Sequence, residues 1–270
     1  MRGRSLFIGL AESGHIDAVK YLYNSEWDDP GLVGRAFASA ACGAEMQVVK
    51  FLIATDRVSS EAFDKAFKLA CSGYQTFNVV ALLYCLKRVS QQGIDRAFAV
   101  AHDVAVVKLL YENEKISDHA VTVAFTRSLN SLNQHFIPFE IIKFLHKLPC
   151  IPSSLIDEAF VRAAQGQKTD TIEVLRDDSH LTSKAKGDAF VDAFKCQGVE
   201  IMKELYDEKC TPPSSGCFPS KCTCHGNICT RLSLLQHDTG KWRFWKLFMR
   251  NNRRNCVLND ALDVAGANAK

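Results

Sequence analysis

One apolar phrase returns along the chain at close to constant intervals. Alanine followed by phenylalanine stands at Ala36-Phe37, Ala66-Phe67, Ala97-Phe98, Ala124-Phe125, Ala159-Phe160 and Ala189-Phe190, with the phenylalanines 30, 31, 27, 35 and 30 residues apart. A second apolar phrase follows each of these. It reads Val48-Val49-Lys50-Phe51-Leu52, Val79-Val80-Ala81-Leu82-Leu83, Val106-Val107-Lys108-Leu109-Leu110, Ile141-Ile142-Lys143-Phe144-Leu145, Thr171-Ile172-Glu173-Val174-Leu175 and Ile201-Met202-Lys203-Glu204-Leu205. An opening copy runs from Leu6-Phe7 to Ala18-Val19-Lys20-Tyr21-Leu22. Self-similarity at such a period marks a repeat architecture, in which each unit is one supersecondary element.

Within a unit the polar and apolar positions specify helices. In SSEAFDKAFKLACSG, Ala62, Phe63, Ala66, Phe67 and Ala70 share one helical face. Ser59 or Ser60 supplies an N-cap and Gly73 a stop, and Ser154-x-x-Asp157 in a later unit has the spacing of a capping box. The second phrase predicts another helix, with its apolar pair turned inward and the central lysine turned to water. Small alanines beside large phenylalanines let neighbouring helices approach closely. Two short helices cannot bury such a face alone, so units must stack on their neighbours. The expected fold class is all-α, an α-solenoid of stacked antiparallel helix pairs.

The register divides the chain into three parts. Residues 1–210 hold seven units. From Phe190 the next matching position is Leu232, which makes residues 211–226 an insertion rich in Cys and Pro. Residues 227–270 hold an eighth unit, with Phe244-Trp245-Lys246-Leu247-Phe248 as its second phrase, and the first helix of a ninth around Leu262. Both ends of the sequence fall inside a unit. Solenoids close their ends with polar caps, so partners covering the ends, or a longer array, are expected.

LAESGHIDAVKYLY, residues 10–23, is similar to the second half of an ankyrin repeat, where alanine and a Gly-His turn precede Val-Val-Lys-Leu-Leu. The resemblance extends over most of the chain in degenerate form, and its texture is similar to divergent ankyrin-like families of oomycete plant pathogens. The family's Thr-Pro-Leu-His start is replaced by Lys65-Ala66-Phe67-Lys68 and its counterparts. The first helix is therefore expected to begin earlier, near the serine after Arg57-Val58, Arg88-Val89 or Lys115-Ile116, consuming the residues of the β-hairpin fingers. Few or no strands are expected. The resemblance implies an intracellular scaffold that binds partner proteins through the concave face and the loops, in the cytoplasm or the nucleus.

Composition narrows this picture. A chain of 270 residues with 47% hydrophobic and 23% charged residues carries enough apolar side chains for a sizeable core, and a net charge of +3 gives no electrostatic case for nucleic acid or an anionic membrane. No stretch approaches the length of a membrane span, and Glu12 interrupts any signal-peptide core. Of eleven cysteines, six are scattered through helical patterns, which favours a reducing compartment. No phosphate loop, serine elbow or His-Glu-x-x-His is present, so no enzymatic activity is expected. A catalytic cysteine with a distant histidine leaves no local signature and stays open.

Four features carry candidate chemistry. The residue before each Ala-Phe is Arg35, Lys65 and Arg96, then Val123, then Glu158 and Asp188. On the ankyrin resemblance these line the inner face, so a row running from basic to acidic would orient a partner of opposite gradient. In SLNSLNQHFIP, residues 128–138, the fifth unit lengthens its connection, and His135 and Phe136 are candidate anchors. In CFPSKCTCHGNIC, Cys217, Cys222, Cys224 and His225 have zinc-ligand chemistry without paired Cys-x-x-Cys spacing. KWRFWKLFMRNNRR, residues 241–254, interleaves bases with aromatics. A zinc- or nucleic-acid-binding module in the last 60 residues is thus the alternative to protein binding. It competes with a plain surface loop, and with Phe244 and Trp245 buried in the repeat register.

Overall fold

Among the described residues each recurring phrase becomes a helix, and helices alternate between two kinds. The computed structural model describes residues 2–25, 29–73, 75–130, 139–196, 198, 201, 202 and 205. Among these the chain is all-α, with thirteen helices of defined extent and no strand. It forms two compact units, one of residues 1–131 and 140–151, the other of residues 132–139 and 152–270.

In the first unit the helices come in pairs, α1 (Arg2–Glu12) with α2 (Ile16–Ser25), α3 (Pro30–Cys42) with α4 (Met46–Ala54), α5 (Ser60–Cys71) with α6 (Phe77–Cys85) and α7 (Gln91–Phe98) with α8 (Val104–Asn113), and α9 (Asp118–Asn130) and α10 (Phe139–Leu145) follow them along the chain. First helices pack on first helices, α1 on α3, α3 on α5, α5 on α7 and α7 on α9, while α2, α4, α6 and α8 form a parallel succession behind them. The Ala-Phe phrase is the contact between them. Phe7, Phe37, Phe67, Phe98 and Phe125 are fully buried, as are Ala36, Ala66 and Ala97. The Phe37 and Phe63 rings meet at 5.0 Å, and Gly34 brings α3 so near α5 that a Cβ on it would sit 3.0 Å from that of Ala62.

Start sites follow the serines, as the missing proline predicts. Ser59, Ser90 and Ser117 each accept a hydrogen bond from the backbone N–H three residues on, at 3.2, 3.0 and 3.3 Å. The stop of α5 is Cys71, with Ser72 as its C-cap and Gly73 just beyond. The second helices bury Val48, Val49 and Leu52, or their counterparts, and leave Lys50, Lys108 and Lys143 exposed. Aromatic edges tie two pairs of them together: Tyr23 of α2 meets Phe51 of α4 and Tyr111 of α8 meets Phe144 of α10, each at 5.6 Å and near a right angle. Lys20 and Lys108 stand 6.0 Å over the same two phenylalanines.

The second unit contains α11 (Ser153–Gln165), α12 (Thr169–Leu175) and α13 (Ser183–Lys195), with α11 against both of the others. Ile156, Ala159, Phe160, Ala163 and Ala164 form its core with Ile172, Leu175 and Ala189. Ile201, Met202 and Leu205 are also helical, the first two of them buried. Two expectations change. Ser154 and Asp157 do not make a capping box, because α11 is entered at Pro152 without a side-chain cap. Residues 128–130 are not part of a lengthened loop, since Ser128 and Leu129 are buried on α9.

Asp157 has another task. Its carboxylate accepts from the backbone N–H and the hydroxyl of Thr182, at 2.9 and 2.7 Å, and Thr182 in turn caps α13. The same arrangement joins Asp64 of α5 to Ser90, through both backbone and hydroxyl, and Asp95 of α7 to the N–H of Ser117. In each case an aspartate two residues before Ala-Phe holds the cap of the next first helix. Gly93 leaves room for it, since a Cβ there would run into the Asp64 carboxylate.

The turns inside the pairs are also stacked. The residue two places before a second helix sits at positive φ in four pairs, as Gly14, Ala44, Gln75 and Gln167. Gly43 passes directly over the Glu12 carbonyl, which a Cβ would strike. Gly43→Ala is expected to destabilise the chain by about 1–3 kcal/mol through this overpacking, measured by urea unfolding. Asp64→Ala should cost about 1–2 kcal/mol by orphaning the Ser90 cap, with Asp64→Asn losing less because its amide oxygen still accepts.

Candidate functional site

The residue before each Ala-Phe lies about 100° around the helix from the buried alanine, which turns it to solvent. Arg35, Lys65 and Arg96 are exposed at one register position on α3, α5 and α7. Lys68, one turn beyond Lys65, is exposed beside them. Among the described residues none of the four takes part in an ion pair, hydrogen bond or ring contact. Val123 holds the same position on α9 and is 37% exposed.

Glu158 and Asp188 belong to the second unit and have a different setting. Both are half-buried, and they line an open groove of about 370 Å³ between α11 and α13 with Asp157, Val161, Arg162 and Lys184. Glu158 is paired with Arg162 of its own helix, and Asp157 is committed to Thr182. Gln165 donates to Asp192 across the same helix pair at 2.6 Å. The basic members of the expected gradient are therefore unengaged side chains on one unit, and Glu158 and Asp188 are groove-lining side chains on the other.

Sequence patterns did not reveal the polar junction where α7 meets its partner. The backbone of this turn departs from its neighbours: His102 stands two places before α8, and its N–H donates to the Cys71 carbonyl at 3.2 Å. Arg127 of α9 donates to the Val100 carbonyl and to His102 Nε2, each at 2.7 Å. A guanidinium only donates, so Nε2 must keep its lone pair and the imidazole is neutral with its proton on Nδ1. Partial burial, and then the Arg127 charge, hold the His102 pKa below the ordinary histidine value. A second linkage joins Tyr84, which donates to Glu114 at 2.7 Å, to Lys87, 3.7 Å from the same carboxylate. Burial and Glu114 raise the Tyr84 pKa.

The described thiols Cys42, Cys71, Cys85, Cys150 and Cys196 are all free. Burial pushes the Cys71 thiol far above its usual range, and burial together with the Asp118 carboxylate raises that of Cys150, so both are held as neutral thiols. No group of three or more His, Cys, Asp or Glu among the described residues is placed to hold a metal ion. Cys217, Cys222, Cys224 and His225 lie outside the described residues, as do His135, Phe136 and the basic stretch at 241–254. No helix among the described residues is long and apolar enough to cross a membrane.

The neutral His102 gives a pH signature. Its pKa is depressed in the folded chain, so its contribution is complete above the unfolded value of about 6.5 and is lost as pH falls below it, while the unfolded chain takes up the proton first. Unfolding free energy measured down to mildly acid pH should fall less steeply for His102→Gln than for the unaltered chain.

Compared with known proteins, the chain matches no family model, no curated protein and no solved structure.

Proposed function

We propose that this chain is an ankyrin-like helical-repeat array that binds a partner protein through the exposed face of its first helices and catalyses no reaction. The observation that carries this reading is the register of Arg35, Lys65 and Arg96: three long cations on successive packed helices, each exposed and none in an ion pair or hydrogen bond among the described residues. A repeat scaffold spends its buried positions on stacking and leaves the exposed ones free to vary, so a run of one sign there is available for recognition. Helix pairs succeeding one another at the sequence period, with first helices stacked on first helices, support the ankyrin-like solenoid as its architecture. Five free thiols among the described residues support a reducing compartment, the cytoplasm or the nucleus.

Affinity capture with the full chain as bait tests the reading. Reversing Arg35→Glu, Lys65→Glu and Arg96→Glu together is expected to remove the principal captured protein while leaving the thermal midpoint nearly unchanged, because these side chains are exposed and make no ion pair or hydrogen bond among the described residues. Unaltered capture by the triple variant would discard this face as the binding surface.

A further inference from the structure

The step of the basic row carries information about what fits it. Packed helices lie about 8–10 Å apart, axis to axis, and α3, α5 and α7 are packed in succession. Arg35, Lys65 and Arg96 therefore recur with about that step, in a line that crosses the helices. Lys68 adds a cation near the middle, and Glu61, one turn before Lys65, is the exposed carboxylate of the same helix. The row is bounded at both ends, by Ser5 on α1 and by Val123 on α9.

A complementary ligand must present anions on one edge with the same step. Same-side residues of a β-strand recur at about 6.6–6.8 Å, which is too short. In a helix, positions seven apart rise about 10.5 Å but drift around the axis by about 20° per heptad, and a short isolated helix is marginal in water. Polyproline II has three residues per turn and a rise of about 3.1 Å, so every third residue lies on one edge at about 9.3 Å intervals. That conformation is also preformed in unfolded and Pro-rich chains, which lowers the ordering cost of binding.

We propose that the face made by α3, α5 and α7 is a docking site for an acidic segment of a partner protein in polyproline II conformation, with Asp or Glu at every third residue over about seven residues. This deepens, and rests on, the reading of the face as a protein-binding surface. A protein ligand fits better than single-stranded nucleic acid because α3, α5 and α7 offer no exposed aromatic ring on which bases could stack: among the described residues the exposed large apolar side chains are Leu6, Tyr21, Phe77, Leu86 and Val123, and the two aromatics among them lie on α2 and α6.

The test titrates the full chain, at low salt, with a labelled peptide of four Glu-Pro-Pro triplets, with an isomer in which the same glutamates are contiguous, and with a thymidine oligomer of equal length. The triplet peptide is expected to bind several-fold more tightly than either of the others. Lys65→Gln or Arg96→Gln should each weaken it by up to about fivefold, in keeping with exposed charge pairs, and the triple reversal should abolish it. Equal binding of isomer and triplets, or tighter binding of the oligonucleotide, would show an unselective polyanion surface and overturn the proposal. Absence of peptide binding would overturn it too. Capture of a protein that still depends on Arg35, Lys65 and Arg96 would then leave the broader reading standing, whereas capture indifferent to them would remove both.

Discussion

A helix pair of this chain cannot take its phenylalanine out of water by itself; the ring is covered when the next first helix lies against it, as Phe63 lies against Phe37. Full burial of such a side chain is worth about 1.5–3 kcal/mol, and each first helix of the first unit repeats it. The neighbouring alanine matters as much as the ring, because a larger side chain at Ala36, Ala66 or Ala97 would hold the helices apart. The exposure of Arg35, Lys65 and Arg96 follows from the same constraint, since a helix that commits one face to Ala-Phe packing must present the preceding residue to solvent.

Apolar burial sets how near the helices come, and polar contacts set their register. Asp64, Asp95 and Asp157 each reach from one first helix to the cap of the next, so the N-terminus of a helix is positioned by the unit before it. The α7–α8 turn uses a different device, with Arg127 gathering the Val100 carbonyl and the His102 ring. Arg88 works similarly one unit earlier, donating to the Val58 carbonyl at 2.9 Å with its guanidinium 4.2 Å over Phe63. Backbone carbonyls left over at the turns are thus claimed by the following unit.

Much of the fold was legible because it depends on local periodicity. The Ala-Phe register, the serine starts and the outward lysines of the second helices each follow from a few adjacent residues. The fate of Asp157 was not legible in the same way: Ser154-x-x-Asp157 satisfies a local rule, but Thr182 competes for the carboxylate from beyond the span of that rule, and it wins because the two first helices pack. A signal did exist, in that Asp64, Asp95 and Asp157 all stand two residues before Ala-Phe and a Ser or Thr cap follows in the next unit. At the candidate surface the sequence showed which residues precede Ala-Phe. Only coordinates separate the unpaired Lys65 from Glu158, whose partner Arg162 sits one turn along its own helix.

The aspartate contacts have a consequence for how such a chain can change length. Each one asks only for an aspartate before one Ala-Phe and a hydroxyl at the head of whatever unit comes next. Loss of residues 90–116 would bring Ser117 to the place of Ser90, facing Asp64, with the junction chemically intact. Loss of residues 59–89 would set Ser90 where Ser59 now stands, beside Gly34, at a junction that is already made without a carboxylate. The seams at Asp64, Asp95 and Asp157 are thus places where a unit can be spliced in or out without redesigning the cap of its neighbour.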